Sequence, residues 1–177
     1  KEVDTDVVSV WDADVLVDKK QLRSSYEAIL SGDYEASFPY DGLFLNTDES
    51  FRKEYLKQHD MRMLLKYKNY FNYLYGENFV GGGFLINTEK YKAAGGENEN
   101  FYGWGPEDLD RVQHWEAHGY RIHRSDGPMF HLNHPRDING GPRTKLYQDL
   151  CFNQLNKSLY MSLRDDVQYT GNNDRFE

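Results

Sequence analysis

Apolar positions along the chain follow the period of strands in some stretches and of helices in others, a pattern typical of an α/β domain. A β-branched run over 7–10, V-V-S-V, predicts a buried strand. Residues 19–30 carry apolar side chains at helical spacing, and Gly32 follows their end, so we predict a helix there. The apolar face of this helix would consist of Leu22, Tyr26, Ile29 and Leu30.

The middle of the chain predicts strands followed by helices. Residues 34–45 hold the turn signal F-P-Y-D-G between short apolar pieces, which predicts two strands. Residues 48–75 predict two helices or one bent helix, capped by Thr47 or Asp48. The aromatic side chains at 67–75 are expected to pack in the core.

Beyond residue 80 the same patterns predict five further elements. They are a glycine-rich turn and strand over 81–86, a short helix from Asn87 or Thr88 to Gly95, a helix from Pro106 to Gly119, a strand over 120–124, and a C-terminal helix and polar tail over 143–177.

Composition and charge limit the classes of function. The chain has 177 residues, enough for one domain with a core, and we predict a single domain over 1–177. A net charge of -8 argues against a nucleic-acid-binding protein. No apolar run reaches the roughly 18 residues of a membrane span, and no signal peptide is visible. Because Cys151 is the only cysteine, no internal disulfide can form. A reducing compartment fits this, and we expect a cytoplasmic protein, in solution or at the periphery of a membrane.

Two aspartates, Asp12 and Asp14, follow the first predicted strand. In an extended chain, side chains two positions apart point to the same face. Paired carboxylates form a hard oxygen site for a divalent cation, which an acidic protein needs if its substrate is phosphorylated. An ordinary turn at the end of a strand explains the same two residues without a metal.

The segment 100–111, N-F-Y-G-W-G-P-E-D-L-D-R, places an aromatic residue beside carboxylates. Glycines flank Trp104, and the acidic residues Glu107, Asp108 and Asp110 fall in the first turn of the predicted helix, where the macrodipole favours negative charge. This arrangement suits a sugar, whose ring packs on an indole while its hydroxyls donate to carboxylates. The alternative is a helix start with ordinary acidic capping.

Two other segments carry candidate chemistry. The glycines at 81–83 allow a close backbone approach or an anion contact, or they form a simple bulge, and their spacing fits neither the Walker nor the dinucleotide motif. His131 and His134 lie three positions apart after a short apolar strand, and this spacing suits two imidazole ligands of one metal ion. Structural histidines are the other interpretation.

Taken in order, the motifs D-A-D, G-G-G-F-L-I, F-Y-G-W-G-P-E-D-L-D and M-F-H-L-N-H-P resemble those of metal-dependent glycosyltransferases of the GT-A fold. Over 7–136 the chain is similar to the C-terminal part of the beta-1,4-galactosyltransferase group and its bacterial polysaccharide relatives. The most specific match is G-W-G-P-E-D-L-D, close to the family's W-G-W-G-x-E-D-D-D. Here Tyr102 replaces the first Trp of that motif, and Leu109 replaces the middle Asp. The resemblance implies an α/β fold with a GT-A-like mixed sheet flanked by helices.

The resemblance also implies a metal site. Asp14 would bind manganese, or magnesium, together with His131 or His134, and Asp12 would lie beside them. The spacing from Met129 departs from the family pattern, in which the histidine comes three positions after the methionine. We prefer His131, because bacterial relatives carry a similar aromatic–histidine pair at the end of a strand.

The remaining motif residues are implied to act on the substrates. Asp108 would be the catalytic base that deprotonates the acceptor hydroxyl. The residues on the substrate side would be Gly81, Gly82, Tyr102, Trp104 and Glu107.

Together these implications predict a metal-dependent, inverting hexosyltransferase. It would move a galactose- or N-acetylhexosamine-type sugar from a UDP-sugar to an oligo- or polysaccharide acceptor, and a single displacement with one base inverts the anomeric centre. Two other classes stay open: a carbohydrate-binding module derived from such an enzyme, and a metal-dependent hydrolase built on Asp14, His131 and His134.

The position of the D-x-D motif leads to one more expectation. Only eleven residues precede Asp12, so the N-terminal nucleotide-binding βαβ unit of the GT-A fold is expected to be missing. These 177 residues alone would then bind UDP weakly and transfer sugar slowly. The strand at 7–10 would then have an exposed apolar edge, through which the chain would form a homo-oligomer or pair with the missing half.

Overall fold

The computed structural model describes residues 3–98, 101 and 106–135. It confirms an α/β fold, with two mixed four-stranded sheets among these residues rather than one. The chain divides into two compact units. The first consists of Lys1–Asn87 and Arg121–Pro135, and the second contains Thr88–Tyr120. The predicted C-terminal helix and tail lie outside the described residues.

The strands, in chain order, are β1 (Val7–Trp11), β2 (Val15–Leu16), β3 (Ala36–Phe38), β4 (Phe44–Asn46), β5 (Asn72–Tyr73), β6 (Gly83–Asn87), β7 (Ile122–Arg124) and β8 (Met129–His131). The α-helices are α1 (Lys19–Leu30), α2 (Glu49–Gln58), α3 (Met61–Lys66), α4 (Thr88–Ala93) and α5 (Glu107–Ala117), and a short 3-10 helix spans Lys68–Tyr70.

The first sheet has the strand order β1-β6-β3-β7, and helix α1 packs against it. Strand β6 is antiparallel to both of its neighbours, whereas β3 and β7 run parallel. The inner strands are buried, with Phe38, Phe84 and Ile86 among the core side chains. Strand β1 lies at the edge of this sheet and Val10 is 40% exposed, so the prediction of a buried strand was wrong in burial although right in position.

The second sheet has the order β2-β8-β4-β5, and it carries the candidate metal residues. The central strands β8 and β4 run parallel, and β2 pairs with β8 in the antiparallel sense. Its hydrophobic cluster consists of Leu45, Leu64, Phe71 and Phe130. Since β8 is buried along its whole length, the backbone of His131 is held firmly at the end of a central strand.

Helix α1 has the predicted bounds, but of the four residues of its predicted apolar face only Ile29 is buried. Leu22, Tyr26 and Leu30 are 41%, 45% and 51% exposed, whereas Gln21 and Ser25 are buried. The reason is hydrogen bonding: the Gln21 amide donates to the carbonyl oxygens of Pro39 and Pro128, and the Ser25 hydroxyl bonds that of Ser125. Polar side chains that are satisfied in this way can be buried at little cost.

The segment after β4 forms two helices, α2 and α3, and Asp48 rather than Thr47 caps the first one. The Asp48 carboxylate accepts a hydrogen bond from the Phe51 amide at 2.9 Å. Of the aromatic residues predicted to be core, Phe71 is buried. Tyr70 and Tyr73 are 79% and 66% exposed, so the prediction was wrong for these two.

None of the helices among the described residues combines the length with the apolar character that crossing a membrane requires.

In the second unit, α5 has the predicted position and buries one imidazole. His114 is buried, and its Nε2 lies 2.7 Å from the carbonyl oxygen of Ala94. A carbonyl oxygen can only accept, so Nε2 donates. Burial lowers the pKa of His114 below the ordinary value of 6.5, and the nearby positive charge of a protonated His118 acts in the same direction.

We expect this buried histidine to make stability depend on pH. The folded chain binds the His114 proton less readily than the unfolded chain, whose histidines titrate near pH ~6.5. Stability is therefore present above that pH and is lost as the pH falls through the lowered pKa. Urea unfolding at pH 7.5 and 5.5 should show a smaller loss on acidification for His114→Gln than for wild type, because the glutamine amide can still donate to Ala94. Equal losses in the two proteins would contradict this.

Candidate metal site and acidic helix

Three side chains of the first unit converge on one point: Asp14, His131 and His134. Their potential ligand atoms all lie within 4.8 Å of one another. The Nε2 atom of His134 lies 2.7 Å from Oδ2 of Asp14, and that of His131 lies 3.3 Å from the same oxygen. Sequence analysis left a choice between the two histidines, and the structure brings both of them to Asp14.

The strand pairing explains why these three residues meet. Asp14 directly precedes β2, and Val15 pairs with His131 in the antiparallel register of β2 and β8. The amide of Leu132 donates to the Asp14 carbonyl oxygen at 2.8 Å, which extends this pairing past the strand end. His134 follows the strand by three residues, and its imidazole contacts the same Asp14 carboxylate.

Hydrogen bonds fix the orientation of both imidazole rings. The Nδ1 atom of His131 lies 2.8 Å from Oδ1 of Asn46, and that of His134 lies 3.0 Å from the carbonyl oxygen of Pro135. These oxygens accept, so each Nδ1 carries a hydrogen, and when the ring is neutral its Nε2 lone pair faces Asp14. Three electron pairs that converge in this way repel one another unless a cation or a proton lies between them.

This donor set fits a divalent ion of intermediate character. Imidazole suits transition-metal ions, and carboxylate suits harder ions such as manganese and magnesium. Asp14 is half-buried, His131 is buried and His134 is exposed, so the group is anchored on one side and open to solvent on the other. An open side leaves room for further ligands from a substrate.

Asp12 lies outside this three-residue group. It does not sit on a strand: Asp12 and Asp14 both belong to the turn between β1 and β2, where Asp12 is exposed. The D-x-D motif was expected at an extended strand end, and it lies in a turn instead. The Asp12 amide donates to the Gly82 carbonyl oxygen at 2.9 Å, which ties the D-x-D turn to the glycine-rich segment.

Two of the three glycines at 81–83, Gly82 and Gly83, are required by close packing. Gly82 has a φ of +85°, and a side chain there would meet the sulfur of Met129. A Cβ on Gly83 would lie 2.7 Å from the Trp11 ring. That ring is held by a bond from its Nε1 to the Val15 carbonyl oxygen at 3.1 Å, so it cannot move aside freely.

We expect Gly83→Ala to destabilise the fold by about 1–3 kcal/mol, because overpacking at an ordered ring forces local displacement. The measurement is urea unfolding monitored by circular dichroism. Gly76→Ala is the matched control, since an added Cβ there meets nothing within 4 Å, and its stability should stay within about 0.5 kcal/mol of wild type. Equal stability of the two variants would show that the Trp11 ring adapts.

In the second unit, the acidic first turn of α5 is organised by a buried arginine. Arg111 Nη1 lies 2.6 Å from Asp108 Oδ1, and its Nε and Nη2 bind both carboxylate oxygens of Glu97 at 2.7–2.9 Å. Burial opposes the charge on Arg111, but its bonds to Glu97 and the charge of Asp108 outweigh burial and raise its pKa. Arg111 therefore fixes Asp108 in one orientation.

The structure describes only some of the predicted substrate-side residues. Glu107 and Asp108 lie in the first turn of α5, both partly exposed. Tyr102 and Trp104 lie outside the described residues. Sequence analysis did not single out Asn46, Glu97 or Arg111, whose partners become apparent only once the chain is folded.

Comparison with known proteins supports the sequence resemblance. Residues 61–136 match the family model described as the N-terminal domain of galactosyltransferase. No curated protein matches the chain by sequence. Among solved structures, the catalytic domain of Drosophila beta-1,4-galactosyltransferase 7 in complex with xylobiose is similar, with a TM-score of 0.51 and 17% identity. The alignment covers 92% of this chain and 55% of that one, so the chain spans about half the length of that structure. The chain therefore has the GT-A-like fold of the galactosyltransferase group.

Proposed function

We propose that this chain is the metal-binding and acceptor part of an inverting glycosyltransferase, which moves a galactose- or N-acetylhexosamine-type sugar from a UDP-sugar to a carbohydrate acceptor. The observation that carries the proposal is the group of Asp14, His131 and His134 within a galactosyltransferase-like fold. A carboxylate and two imidazoles whose Nδ1 atoms are hydrogen-bonded to oxygens are suited to a divalent ion, and we propose manganese.

The roles of the residues follow from their chemistry. Asp14, His131 and His134 would hold the ion, which when bound supplies positive charge to offset the developing charge of the departing diphosphate. Asp12, exposed in the same turn, would contact the donor. Gly81 and Gly82 would allow the substrates to approach the backbone closely.

Residues of the second unit would act on the acceptor. Asp108 would remove the proton from the attacking hydroxyl, and Glu107 would accept hydrogen bonds from sugar hydroxyls. The Arg111 ion pair supports this role, because it engages Oδ1 of Asp108 and holds the carboxylate in place. Tyr102 and Trp104 are proposed as the aromatic surface of the acceptor site by resemblance alone.

The function is tested by measuring sugar transfer from a panel of UDP-sugars to oligosaccharide acceptors, with and without manganese. The complete natural polypeptide that carries this sequence should be assayed beside the 177-residue chain. Manganese-dependent transfer with inversion is the expected result. Carbohydrate binding without UDP binding would indicate a binding module instead. Release of free sugar in the absence of any acceptor would indicate a hydrolase.

A further inference from the structure

We propose that Asn46 and Thr47, at the end of β4, position the two histidines of the metal site. Asn46 would select the ring nitrogen of His131 that faces the ion, and Thr47 would hold the backbone that carries His134 toward Asp14. This inference rests on the proposed metal site and names the residues that orient its two histidines.

The register of the sheet places Asn46 beside the ligand. Strands β4 and β8 run parallel, and Asn46 is the register partner of His131. Its Oδ1 lies 2.8 Å from Nδ1 of the imidazole, which places a hydrogen on Nδ1 and, in the neutral ring, the lone pair on Nε2. The Nε2 atom is the one that faces Asp14. Without the Asn46 oxygen, the buried ring would lose the partner that holds this tautomer.

Thr47 acts on the backbone next to the same ring. It is 1% exposed, and both its amide and its hydroxyl donate to the His131 carbonyl oxygen at 3.0 Å. The hydroxyl also accepts a hydrogen bond from the Asn133 amide at 3.2 Å. It therefore bridges the backbone between the two histidines, and a methyl group in its place could do neither.

A merely structural role at a strand end would give a different result. Loss of these bonds would then lower stability and leave the affinity for metal and the His131 tautomer unchanged. By contrast, loss of a residue that orients a metal-binding histidine typically lowers metal affinity by about 10- to 100-fold. Affinity and tautomer are thus the quantities to measure.

The experiment is a calorimetric titration of Mn²⁺ into the 177-residue chain and its variants. Asn46→Leu should weaken binding by about 10- to 100-fold, whereas Asn46→Asp keeps the acceptor and should bind at least as tightly as wild type. Thr47→Val should weaken binding by about 10-fold, and Thr47→Ser should restore it. The two conservative variants keep the test decisive if a disruptive one fails to fold.

A matched control comes from the other sheet. The buried Ser37 hydroxyl bonds Nδ1 of His123 at 2.9 Å, a similar contact away from the site, so Ser37→Ala should leave manganese affinity unchanged. In the metal-free protein, ¹⁵N chemical shifts should show hydrogen on Nδ1 of His131 in wild type. In Asn46→Leu they should show a shift toward the other tautomer.

Unchanged affinity and tautomer in Asn46→Leu, with binding lost in Asp14→Ala, would overturn this inference and leave the metal site in place. Binding in Asp14→Ala as tight as in wild type, or no binding in wild type, would overturn the metal site and the inference together.

Discussion

Replacing Asp108 by Asn should reduce sugar transfer by a factor of about one hundred or more, which is the usual cost of losing a general base. The physical reason is that the substitution removes the group that accepts the proton and keeps the shape of the side chain. An amide has nearly the same shape as a carboxylate, but it cannot take a proton from a hydroxyl. The measurement is kcat for transfer, made on the complete natural polypeptide with its preferred donor and with manganese.

The structure indicates that this variant should fold. Asp108 sits partly exposed in the first turn of α5, and its Oδ1 accepts from Arg111. The side-chain amide oxygen of the introduced asparagine can accept the same hydrogen bond, so the bridge from Arg111 to Glu97 should persist. We expect a loss of stability of about 1 kcal/mol, as for a weakened charge contact at a helix N-terminus.

Glu116→Gln is the matched control for this substitution. It makes the same change from acid to amide on the same helix, at an exposed position near the C-terminal end. Turnover of this variant should equal that of wild type. If Asp108→Asn also turns over like wild type, the carboxylate serves only the helix start and its ion pair, and the base lies elsewhere.

The local motifs could be predicted because their signals are local. Most of the order of strands and helices followed from apolar spacing, and α1 has the predicted bounds, Lys19–Leu30. The two-residue strands β2 and β5 were missed, and β5 lies within the stretch predicted to be helical. Asp14, His131 and His134 could be proposed as metal ligands because D-x-D and His-x-x-His are short patterns whose chemistry is fixed by residue type, and the structure brings these three together. The family match over 61–136 includes G-W-G-P-E-D-L-D, the most specific motif of the resemblance.

The contacts that position the site could not be predicted in the same way. Asn46 and His131 are 85 residues apart, and only the parallel register of β4 and β8 makes them neighbours. Gln21 is buried because two carbonyl oxygens, one of them 107 residues away, satisfy its amide. Spacing along the chain contains no information on such partners, so the burial of Leu22, Tyr26 and Leu30 on α1 was predicted wrongly.

Replacing Asp14 by Ala should abolish specific manganese binding. Asp14 is the shared partner of both histidines, at 2.7 Å from His134 and 3.3 Å from His131, so its removal takes away the only carboxylate of the group. Two neutral imidazoles alone supply no charge to offset that of a divalent ion. With the acid gone, we expect the affinity to fall by more than about 100-fold, beyond the loss typical of a supporting residue.

Asp12→Ala separates this prediction from a general effect of negative charge. Asp12 lies two positions away in the same turn and is exposed, so its removal changes the net charge equally. It stands outside the convergent group, and manganese affinity should therefore stay within a few-fold of wild type. Calorimetric titration of both variants at the same pH and ionic strength makes the comparison. If Asp12→Ala loses binding and Asp14→Ala keeps it, the ion is held on the exposed side of the turn. The convergence of Asp14 with the two histidines would then be an ordinary hydrogen-bonded cluster.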